Sequence, residues 1–387
     1  LGLAALGMKR GDHASILGEN CKEWIFADLA IQSLGGVSVG IYPTNSAEQV
    51  KYVLDHSQSR FVVVKDQEQA DKVLQVKSEL PLLEKIIVMD MKGMRHYHER
   101  CIVSYAEVEV LGRKTLCIKA DAFSRLVEEG GAGDVAFIVY TSGTTGHPKG
   151  AMLSHRNVIH QTICALQPVL HFTEHDTLLS YLPLCHILER SLTMSMPLVF
   201  GYTVSFAESI ETVQQNIQEI RPTFFAAVPR ILEKLYSGVQ IRMEDSTRFK
   251  KWMYELWKPV GLRVSRFEMN GGRVPLAWSA LYALGYLCSF RAVRDKIGLI
   301  NCRRLMSGGA PIAPEVLTFF RSLGVRTVEM YGATETSGAI SGPHKKIKDG
   351  SVGEPCQGME FRLADDGEIQ VRGDSVFVGY YRDPEAT

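Results

Sequence analysis

Residues 140–150 combine hydroxyl side chains, three glycines and one lysine in one short stretch. They follow an apolar run at 135–139, which predicts a buried strand. Glycine permits positive φ and a close approach of the backbone to a ligand, and consecutive amides in such a turn can point at one anion. Ser142, Thr144 and Thr145 add hydroxyl donors, and Lys149 adds a mobile positive charge. The stretch therefore predicts a phosphate-binding loop.

The spacing in this loop differs from that of the common P-loop, which has four residues between its first glycine and a Gly-Lys pair that Ser or Thr follows. Here Gly143 and Gly146 are separated by two residues, Pro148 precedes Lys149, and Gly150 follows it. The pattern argues against a P-loop kinase or GTPase. A glycine- and threonine-rich surface turn is the structural alternative, but it does not explain so many specified positions directly after a buried strand.

Two further segments follow predicted strands, at the sheet edge where open α/β folds bind ligands. Residues 306–311 are mostly small, so a flat ligand or an apolar chain could approach the backbone, and a tight turn is the structural alternative. In the second segment, Tyr331 could stack on a base, Thr334 could donate to a phosphate, and Glu335 offers the oxygen ligand that Mg²⁺ prefers. A helix N-cap formed by Thr334 is the structural alternative there.

A third segment, residues 182–190, places His186 among apolar side chains. A histidine in that setting is either a hydrogen-bonded core residue or a functional group, and the residues alone leave both possibilities open. The sequence contains no paired carboxylates, no Ser-His-Asp set and no HExxH motif that would support a hydrolase.

Composition and charge restrict the class of protein. The 387 residues suggest two or three structural units, and 43 Lys and Arg balance 43 Asp and Glu, so no global basic surface recommends nucleic acid as a partner. The eight cysteines have no CxxC spacing, which argues against a zinc site or a disulfide framework. Scattered cysteines favour a reducing, cytoplasmic compartment.

Strand-like and helix-like segments alternate along most of the chain, which predicts an α/β fold with mainly parallel sheets. We expect two stacked αβ subdomains, one at 1–175 that contains the phosphate loop and one at 176–342 with a helical insertion at about 231–297. Glycines punctuate short alternating runs at 343–387 and predict a small antiparallel β unit. The uncharged run Val274–Phe290 is interpreted as a buried helix, with a membrane-facing patch as the alternative.

Together these segments resemble the AMP-forming acyl-CoA synthetases of the adenylate-forming superfamily, and the fold implied is the acetyl-CoA synthetase-like large domain. The resemblance spans essentially the whole chain and rests on residues 140–150, 331–335, 350–355 and 367–381. Within the superfamily, residues 182–190 and 222–230 and the long helical segment before Ser307 are most similar to long-chain fatty acyl-CoA synthetases.

The resemblance implies a role for each candidate residue. The nucleotide, ATP or AMP, would contact Thr141, Ser142, Gly143, Thr144, Thr145, Gly146, Lys149, Gly308, Gly309, Ala310, Tyr331, Gly332 and Thr334. Glu335 and Thr144 would ligate Mg²⁺. The acyl pocket would include His186, Val228, Gly309 and Gly332. Lys149, His186, Thr334 and Glu335 would serve catalysis.

The implied reaction activates a long-chain fatty acid in two steps. The carboxylate attacks the α-phosphate of ATP and releases pyrophosphate, and the thiolate of coenzyme A then displaces AMP. The first step needs no protein nucleophile because the carboxylate is already ionised, so catalysis consists of positioning and charge neutralisation. Peripheral contact with a membrane and a homodimer both remain open at this point.

Two other interpretations also stay open. One is another adenylate-forming enzyme, such as a ligase of an aryl, medium-chain or amino acid or a luciferase-like oxygenase, and the other is a non-catalytic nucleotide-binding module. In the family, amino-acid-activating members usually hold the ammonium group with an aspartate just after the segment that aligns with Thr223–Val228, and here only apolar residues precede Pro229. Retention of Lys149, Thr334 and Glu335 argues against a decayed site. The resemblance also places a ribose-binding aspartate and a C-terminal domain beyond Thr387. Residues 1–387 then correspond to the large N-terminal region, and we expect that region alone to turn substrate over poorly.

Overall fold

The computed structural model describes residues 1–118, 120–141, 146–343 and 346–387. Its strands are β1 (His13–Leu17), β2 (Val37–Ile41), β3 (Ser59–Val64), β4 (Lys85–Val88), β5 (Ile102–Ser104), β6 (Val135–Thr141), β7 (Lys149–Ser154), β8 (Thr177–Ser180), β9 (Thr203–Phe206), β10 (Phe224–Ala227), β11 (Arg304–Gly308), β12 (Arg326–Ala333), β13 (Gly338–Gly342), β14 (Glu354–Pro355), β15 (Met359–Leu363), β16 (Ile369–Gly373) and β17 (Gly379–Tyr380). The central strands are rich in Val, Ile and Phe and are buried on both faces, as parallel strands covered by helices must be.

Within the described residues these strands form two large sheets and one hairpin. The first sheet has the order β17-β7-β6-β2-β1-β3-β4-β5, the second has the order β14-β13-β12-β11-β10-β8-β9, and β15 pairs with β16. Pairing is parallel except at one edge of each large sheet, where β7 and β17, or β13 and β14, run antiparallel. The expected α/β class with mainly parallel sheets and a small antiparallel unit is confirmed.

The helices are α1 (Gly2–Ala5), α2 (Lys22–Ser33), α3 (Ala47–His56), α4 (Gln67–Val76), α5 (Tyr105–Ile118), α6 (Ala122–Glu128), α7 (His155–His160), α8 (Gln167–Leu170), α9 (Ile187–Arg190), α10 (Met196–Phe200), α11 (Val213–Ile220), α12 (Pro229–Glu244), α13 (Arg248–Met269), α14 (Leu276–Gly285), α15 (Arg291–Lys296) and α16 (Pro314–Ser322). A π-helical turn, Tyr286–Phe290, joins α14 to α15. Helices α12 to α15 occupy the stretch expected as a helical insertion.

The described chain divides into two compact units. One contains residues 1–159, 182–194 and 375–387, and the other contains residues 160–181 and 195–374. These boundaries differ from those expected near 175 and 342, because two later segments of the chain return to the first unit. One of them supplies β17, which pairs with β7 at the edge of the first sheet.

A buried ion pair holds the returning segment 182–194 in the first unit. The side chains of Arg190 and Asp28 are both fully buried, and the guanidinium group donates to the carboxylate. Ser38 on β2 donates to the same carboxylate. The guanidinium carbon lies 3.8 Å from the ring centroid of Phe137 on β6 and 5.2 Å from that of Trp24 on α2. Arg190 thus fixes α9 against one helix and two strands.

The prediction of a buried helix over Val274–Phe290 is wrong for most of that run. Leu276 is 88% exposed, Leu284 is 52% exposed and Leu287 is 66% exposed. Helix α14 contacts α13 along a narrow stripe, where Gly285 lies against the ring of Trp257. An apolar run is buried only where a partner covers it, and the described residues cover one side of this helix.

We expect Asp28→Asn to lower the free energy of unfolding by about 3–5 kcal/mol, because Arg190 would then be a buried cation without a counter-charge. Denaturant titration measures this change. The control is Glu109→Gln, which breaks the exposed pair with Arg113 and should cost less than about 1 kcal/mol. A loss in Asp28→Asn as small as that of the control would contradict the assignment, and the double variant with Arg190→Met should recover part of the loss.

Candidate functional site

The predicted phosphate loop is the turn of an antiparallel hairpin. Thr141 at the end of β6 pairs with Lys149 at the start of β7, so the seven residues between them connect two neighbouring strands. Ser142, Gly143, Thr144 and Thr145 lie outside the described residues. Gly146 has a φ of +105°, in the left-handed region that favours glycine, and a Cβ there would meet nothing within 4 Å. The hairpin therefore presents the loop at the carboxyl end of β6.

Tyr52 on α3 anchors the second half of this loop. Its ring stacks on that of His147 with a centroid separation of 4.7 Å, and its hydroxyl donates to the carbonyl oxygen of Pro148 at 2.9 Å. Next to it, His56 Nδ1 is hydrogen-bonded to the buried Tyr140 hydroxyl at 2.8 Å. These contacts fix the backbone that precedes Lys149.

Lys149 lies within reach of a second segment of the first unit. Its Nζ is 3.8 Å from Oδ2 of Asp383 and 5.3 Å from the ring centroid of Tyr380, while the side chain remains 41% exposed. The pairing of β17 with β7 places Tyr380 opposite Ala151 and so brings this segment beside Lys149. An exposed ammonium group with one partly exposed counter-ion can still attract an anion from solution.

His186 caps helix α9 with its own ring. Nδ1 accepts the backbone N–H of Leu188 at 3.2 Å, so the proton of the neutral ring lies on Nε2. The side chain reaches solvent, but the surrounding protein desolvates the ring and lowers its pKa. Asn20 holds the backbone just before it, because its amide donates to the carbonyl of Leu182 at 2.7 Å and accepts from the N–H of Leu184 at 3.2 Å. The ring is therefore held in the tautomer that carries its proton on Nε2.

In the second unit, five of the predicted nucleotide residues surround one cavity of about 390 Å³. Its wall includes Gly308, Gly309, Ala310, Tyr331 and Gly332. The two segments meet because β11 and β12 are parallel neighbours, with Gly308 opposite Met330 in the register. The cavity is therefore open at the carboxyl ends of both strands, which is the edge that the sequence predicts.

Two glycines of this wall are needed for different reasons. A Cβ on Gly332 would overlap the carbonyl oxygen of Gly338 on the neighbouring strand β13, so no larger residue fits. Gly309 has a φ of +83°, and a methyl group added there would meet nothing within 4 Å, so conformation and not space requires glycine at this position.

Thr334 and Glu335 form a short 3₁₀ turn, Thr334–Thr336, directly after β12. Both side chains are half-buried. The Thr336 hydroxyl closes the turn by accepting the N–H of Ala333 at 3.0 Å, while Ser337 in the left-handed region (φ 59°) directs the chain into β13. The N-cap position of this turn is occupied by Ala333, so Thr334 is not the N-cap residue of the structural alternative.

Val228 directly follows β10 and is the N-cap residue of α12. Its neighbour Ala227 pairs with Ser307, so Val228 reaches the same edge of the sheet as Gly308. Among the described residues it is not part of the cavity wall. Thr141, Gly146, Lys149 and His186 belong to the first unit, and Val228 and all later candidates belong to the second.

The sequence analysis missed two polar side chains of the cavity wall. The Ser307 hydroxyl is buried and has no hydrogen-bond partner in the part of the chain that the structure describes. Burial raises the pKa of Glu329, and the nearby Arg321 opposes that shift. Leaving a buried hydroxyl unpaired costs about 1–3 kcal/mol, which a bound ligand with a complementary group would recover. Both residues could have been found from the sequence. Each lies on a strand that ends in a glycine motif, and alternate side chains of such a strand point to the same face.

Comparison with known proteins gives a consistent family. The sequence profile described as "AMP-binding enzyme" matches residues 1–381. The chain is 32% identical over 398 residues to the long-chain-fatty-acid–CoA ligase ACSBG2 of Rattus norvegicus, covering 100% of this chain and 58% of that protein. It is 32% identical over 390 residues to the long-chain-fatty-acid–CoA ligase FadD15 of Mycobacterium tuberculosis, covering 100% of this chain and 62% of that protein. The chain thus spans about three-fifths of these relatives.

Solved structures show the same fold at lower identity. An anthranilate CoA ligase, AuaEII, in complex with anthranoyl-AMP has a TM-score of 0.70 at 19% identity, covering 99% of this chain and 64% of that one. A long-chain-fatty-acid–CoA ligase from Archaeoglobus fulgidus has a TM-score of 0.66 at 19% identity, covering 98% of this chain and 67% of that one.

We expect Gly332→Ala to destabilise the second unit by about 3 kcal/mol, because the added methyl group forces β12 away from β13. It should also weaken AMP binding, measured by calorimetry. Gly367→Ala is the matched control, since Gly367 has a φ of +87° and open space at the Cβ position. The free energy of unfolding of that variant should fall by about 1 kcal/mol, and its affinity for AMP should stay normal. Equal AMP affinity in both variants would contradict the placement of Gly332 in the site.

Proposed function

Because this chain belongs to the AMP-binding enzyme family, we propose that it carries the nucleotide and acyl sites of a long-chain fatty acid–CoA ligase. The enzyme joins a fatty carboxylate to the α-phosphate of ATP with release of pyrophosphate. It then transfers the acyl group to the thiol of coenzyme A with release of AMP. The names of the relatives that are 32% identical support the long-chain substrate.

The single observation that carries this proposal is the cavity between the ends of β11 and β12. Its 390 Å³ and glycine-lined wall suit a flat heterocycle. In the proposed arrangement adenine lies against Gly308, Gly309 and Ala310 and stacks on Tyr331. The Ser307 hydroxyl supplies a hydrogen bond to the ligand, which accounts for a buried polar group that has no partner among the described residues.

The phosphates are assigned to the hairpin loop and to Thr334. The loop amides, the hydroxyls of Ser142, Thr144 and Thr145, and the Lys149 ammonium group neutralise negative charge, while Thr334 donates to the α-phosphate. Attack by a carboxylate needs no general base, so the protein contributes alignment and a compensating charge. Tyr52 supports this role indirectly because it holds the backbone on which Lys149 is mounted.

The residues present fit a magnesium ion held together with the nucleotide. Mg²⁺ is commonly bound by one or two carboxylates plus substrate phosphates and water, and it needs no cluster of protein ligands. No group of three or more His, Cys, Asp or Glu that could hold a metal occurs among the described residues. We assign the protein ligands to Glu335 and Thr144. When bound, the ion offsets the charge of the phosphates.

The acyl group is assigned to His186, Val228, Gly309 and Gly332. The neutral His186 ring offers an Nε2–H donor without adding a fixed charge, which suits a position beside the carboxylate and the apolar chain. Only apolar residues follow β10 before Pro229, where amino-acid-activating relatives usually carry the ammonium-binding aspartate, so an uncharged acyl chain fits better.

A cytoplasmic location is also proposed, supported by eight free thiols in the described residues.

Activation of an aryl acid is the second candidate function. The chain shares its fold with a ligase solved with anthranoyl-AMP, so an aryl acid is the other carboxylate against which the proposal is tested.

The substrate is tested with a chain-length series in a pyrophosphate-release assay on the full-length protein. We expect palmitate to exceed benzoate by at least tenfold, since even one methylene in an apolar pocket is worth about 1–3 kcal/mol, or about 10- to 200-fold in discrimination. Faster turnover of benzoate or anthranilate would replace the long-chain substrate with an aryl acid and would leave the adenylation chemistry intact.

The metal role is tested with Glu335→Gln, which keeps the size of the side chain and removes its charge. We expect Mg²⁺-dependent pyrophosphate release to fall by about a hundredfold while AMP binding without metal and thermal stability stay unchanged. Glu354→Gln, at an exposed position on β14, is the control and should retain activity. Normal turnover by Glu335→Gln would remove Glu335 from the metal site.

A further inference from the structure

A second cavity of the second unit lies at the opposite edge of its sheet from the candidate nucleotide cavity. It has a volume of about 610 Å³ and is found at the amino ends of β11 and β12. A strand of five residues such as β11 spans about 16 Å, so this cavity is separate from the wall that contains Gly308 and Gly309. We call it the arginine cavity, because its wall includes Arg294, Arg303, Arg321 and Arg326.

Two of the four arginines have a counter-ion outside the wall. Arg303 Nε donates to Asp176 Oδ1 at 2.7 Å, and Arg321 donates to the carboxylate of Asp349. Within the wall itself, Glu268 is the one carboxylate that the described residues provide. The cavity therefore has more guanidinium groups than carboxylates to balance them.

Arg294 is held by dipoles and not by a carboxylate. It is 9% exposed, and its guanidinium group donates to the carbonyl oxygens of Leu299, Ile300 and Cys302 at 3.0, 3.0 and 2.7 Å. These oxygens satisfy the N–H donors, but a carbonyl group carries no net charge. The positive charge of Arg294 is therefore still available to an anion that enters the cavity.

Arg326 adds a like charge at the same edge of the sheet. It is exposed at the start of β12 and lies opposite Arg304 on β11 in the parallel register. Like charges directly opposite each other on neighbouring strands are destabilising. Burial, followed by the positive charges of Arg326 and Arg303, lowers the pKa of Arg304 to about 10. This edge thus carries positive charge that the protein does not neutralise.

A buried hydroxyl without a partner lies next to the arginine cavity. An adjoining cavity of about 500 Å³ shares Arg294 and Arg321 with it and has Tyr282 in its wall. The Tyr282 hydroxyl makes no hydrogen bond in the part of the chain that the structure describes, and burial raises its pKa to about 12. A Cβ on Gly324, which lines both cavities, would lie 2.1 Å from this hydroxyl. A protonated donor beside guanidinium groups suits a negatively charged acceptor.

We propose that the arginine cavity binds a small soluble molecule that carries a phosphate group. Guanidinium groups match phosphate oxygens with paired N–H donors, and a phosphate group supplies the negative charge that this edge lacks. The volume lies within the range of about 300–1,000 Å³ that is typical of ligand pockets. A soluble occupant is assigned because Arg294 and Arg321 are 9% and 3% exposed, so a ligand must enter the cavity to reach them. The proposal does not depend on the reaction assigned above.

The test is a calorimetric titration of the full-length protein with inorganic pyrophosphate. It is done in a Lys149→Gln background, which weakens the separate phosphate site proposed at the hairpin loop. We expect binding to persist in this background and its affinity to fall as salt is added. Adding Arg326→Gln should weaken binding by roughly tenfold or more, because the phosphate loses a charged donor.

Tyr282→Phe is the more selective variant, because it removes only a hydroxyl that has no partner in the described protein. Thermal stability should not fall, while pyrophosphate binding should weaken by about fivefold. Tyr254→Phe is the matched control, since it removes another buried hydroxyl whose residue lines neither cavity. Arg362→Gln removes an exposed arginine on β15 and is the control for charge. Both controls should bind pyrophosphate as the background protein does.

Two results would overturn the proposal. The first is the absence of pyrophosphate binding in the Lys149→Gln background, because all phosphate affinity would then belong to the hairpin loop. The second is binding that neither Arg326→Gln nor Tyr282→Phe weakens. Equal affinity with and without Lys149 would support the arginine cavity and would count against the hairpin loop, so the two assignments can fail separately.

Discussion

The buried pair of Arg190 and Asp28 is the contact on which the arrangement of the first unit depends. Two charges without access to water are stable only when their hydrogen bonds and their mutual attraction offset the loss of hydration. The carboxylate here receives Arg190 and Ser38, and the flat guanidinium group lies on the rings of Phe137 and Trp24. Because these contacts require a specific geometry, α9 can adopt few positions relative to α2, β2 and β6. The position of His186, at the start of that helix, is restricted in the same way.

Strand order explains why each unit has its candidate residues at one edge. In both sheets the parallel strands deliver their carboxyl ends to the same side, and an antiparallel strand then turns back beside them. The proposed phosphate loop connects β6 to β7, and Thr334 and Glu335 lie between β12 and β13. An irregular, polar turn is tolerated at such an edge because its backbone groups can still reach water or a ligand.

The fold class and part of the candidate site could be predicted from the sequence, because they depend on patterns among neighbouring residues. The alternation of strands and helices predicts the fold class, and the glycine motifs after strands predict the cavity wall of Gly308, Gly309 and Gly332. Contacts between distant residues could not be predicted. No local pattern connects Tyr52 with His147, or Asn20 with Leu182, because those pairs form only after the sheets assemble. The prediction that helix α14 is buried failed for a different reason. Apolar composition measures the tendency of a segment to leave water, and it does not identify the surface that will cover that segment.

The first unit is discontinuous, and this has a consequence for the order of folding during synthesis. Asn157 donates to the carbonyl of Val376, which is 219 positions later, and the Tyr381 hydroxyl donates to Gln58 across 323 positions. The edge strand β17 therefore reaches β7 only after the ribosome has made the whole second unit. Until then β7 exposes an unpaired strand edge, which is the kind of surface that recruits chaperones or other chains. Vectorial synthesis thus leaves the sheet that carries Lys149 incomplete until the second unit has been made.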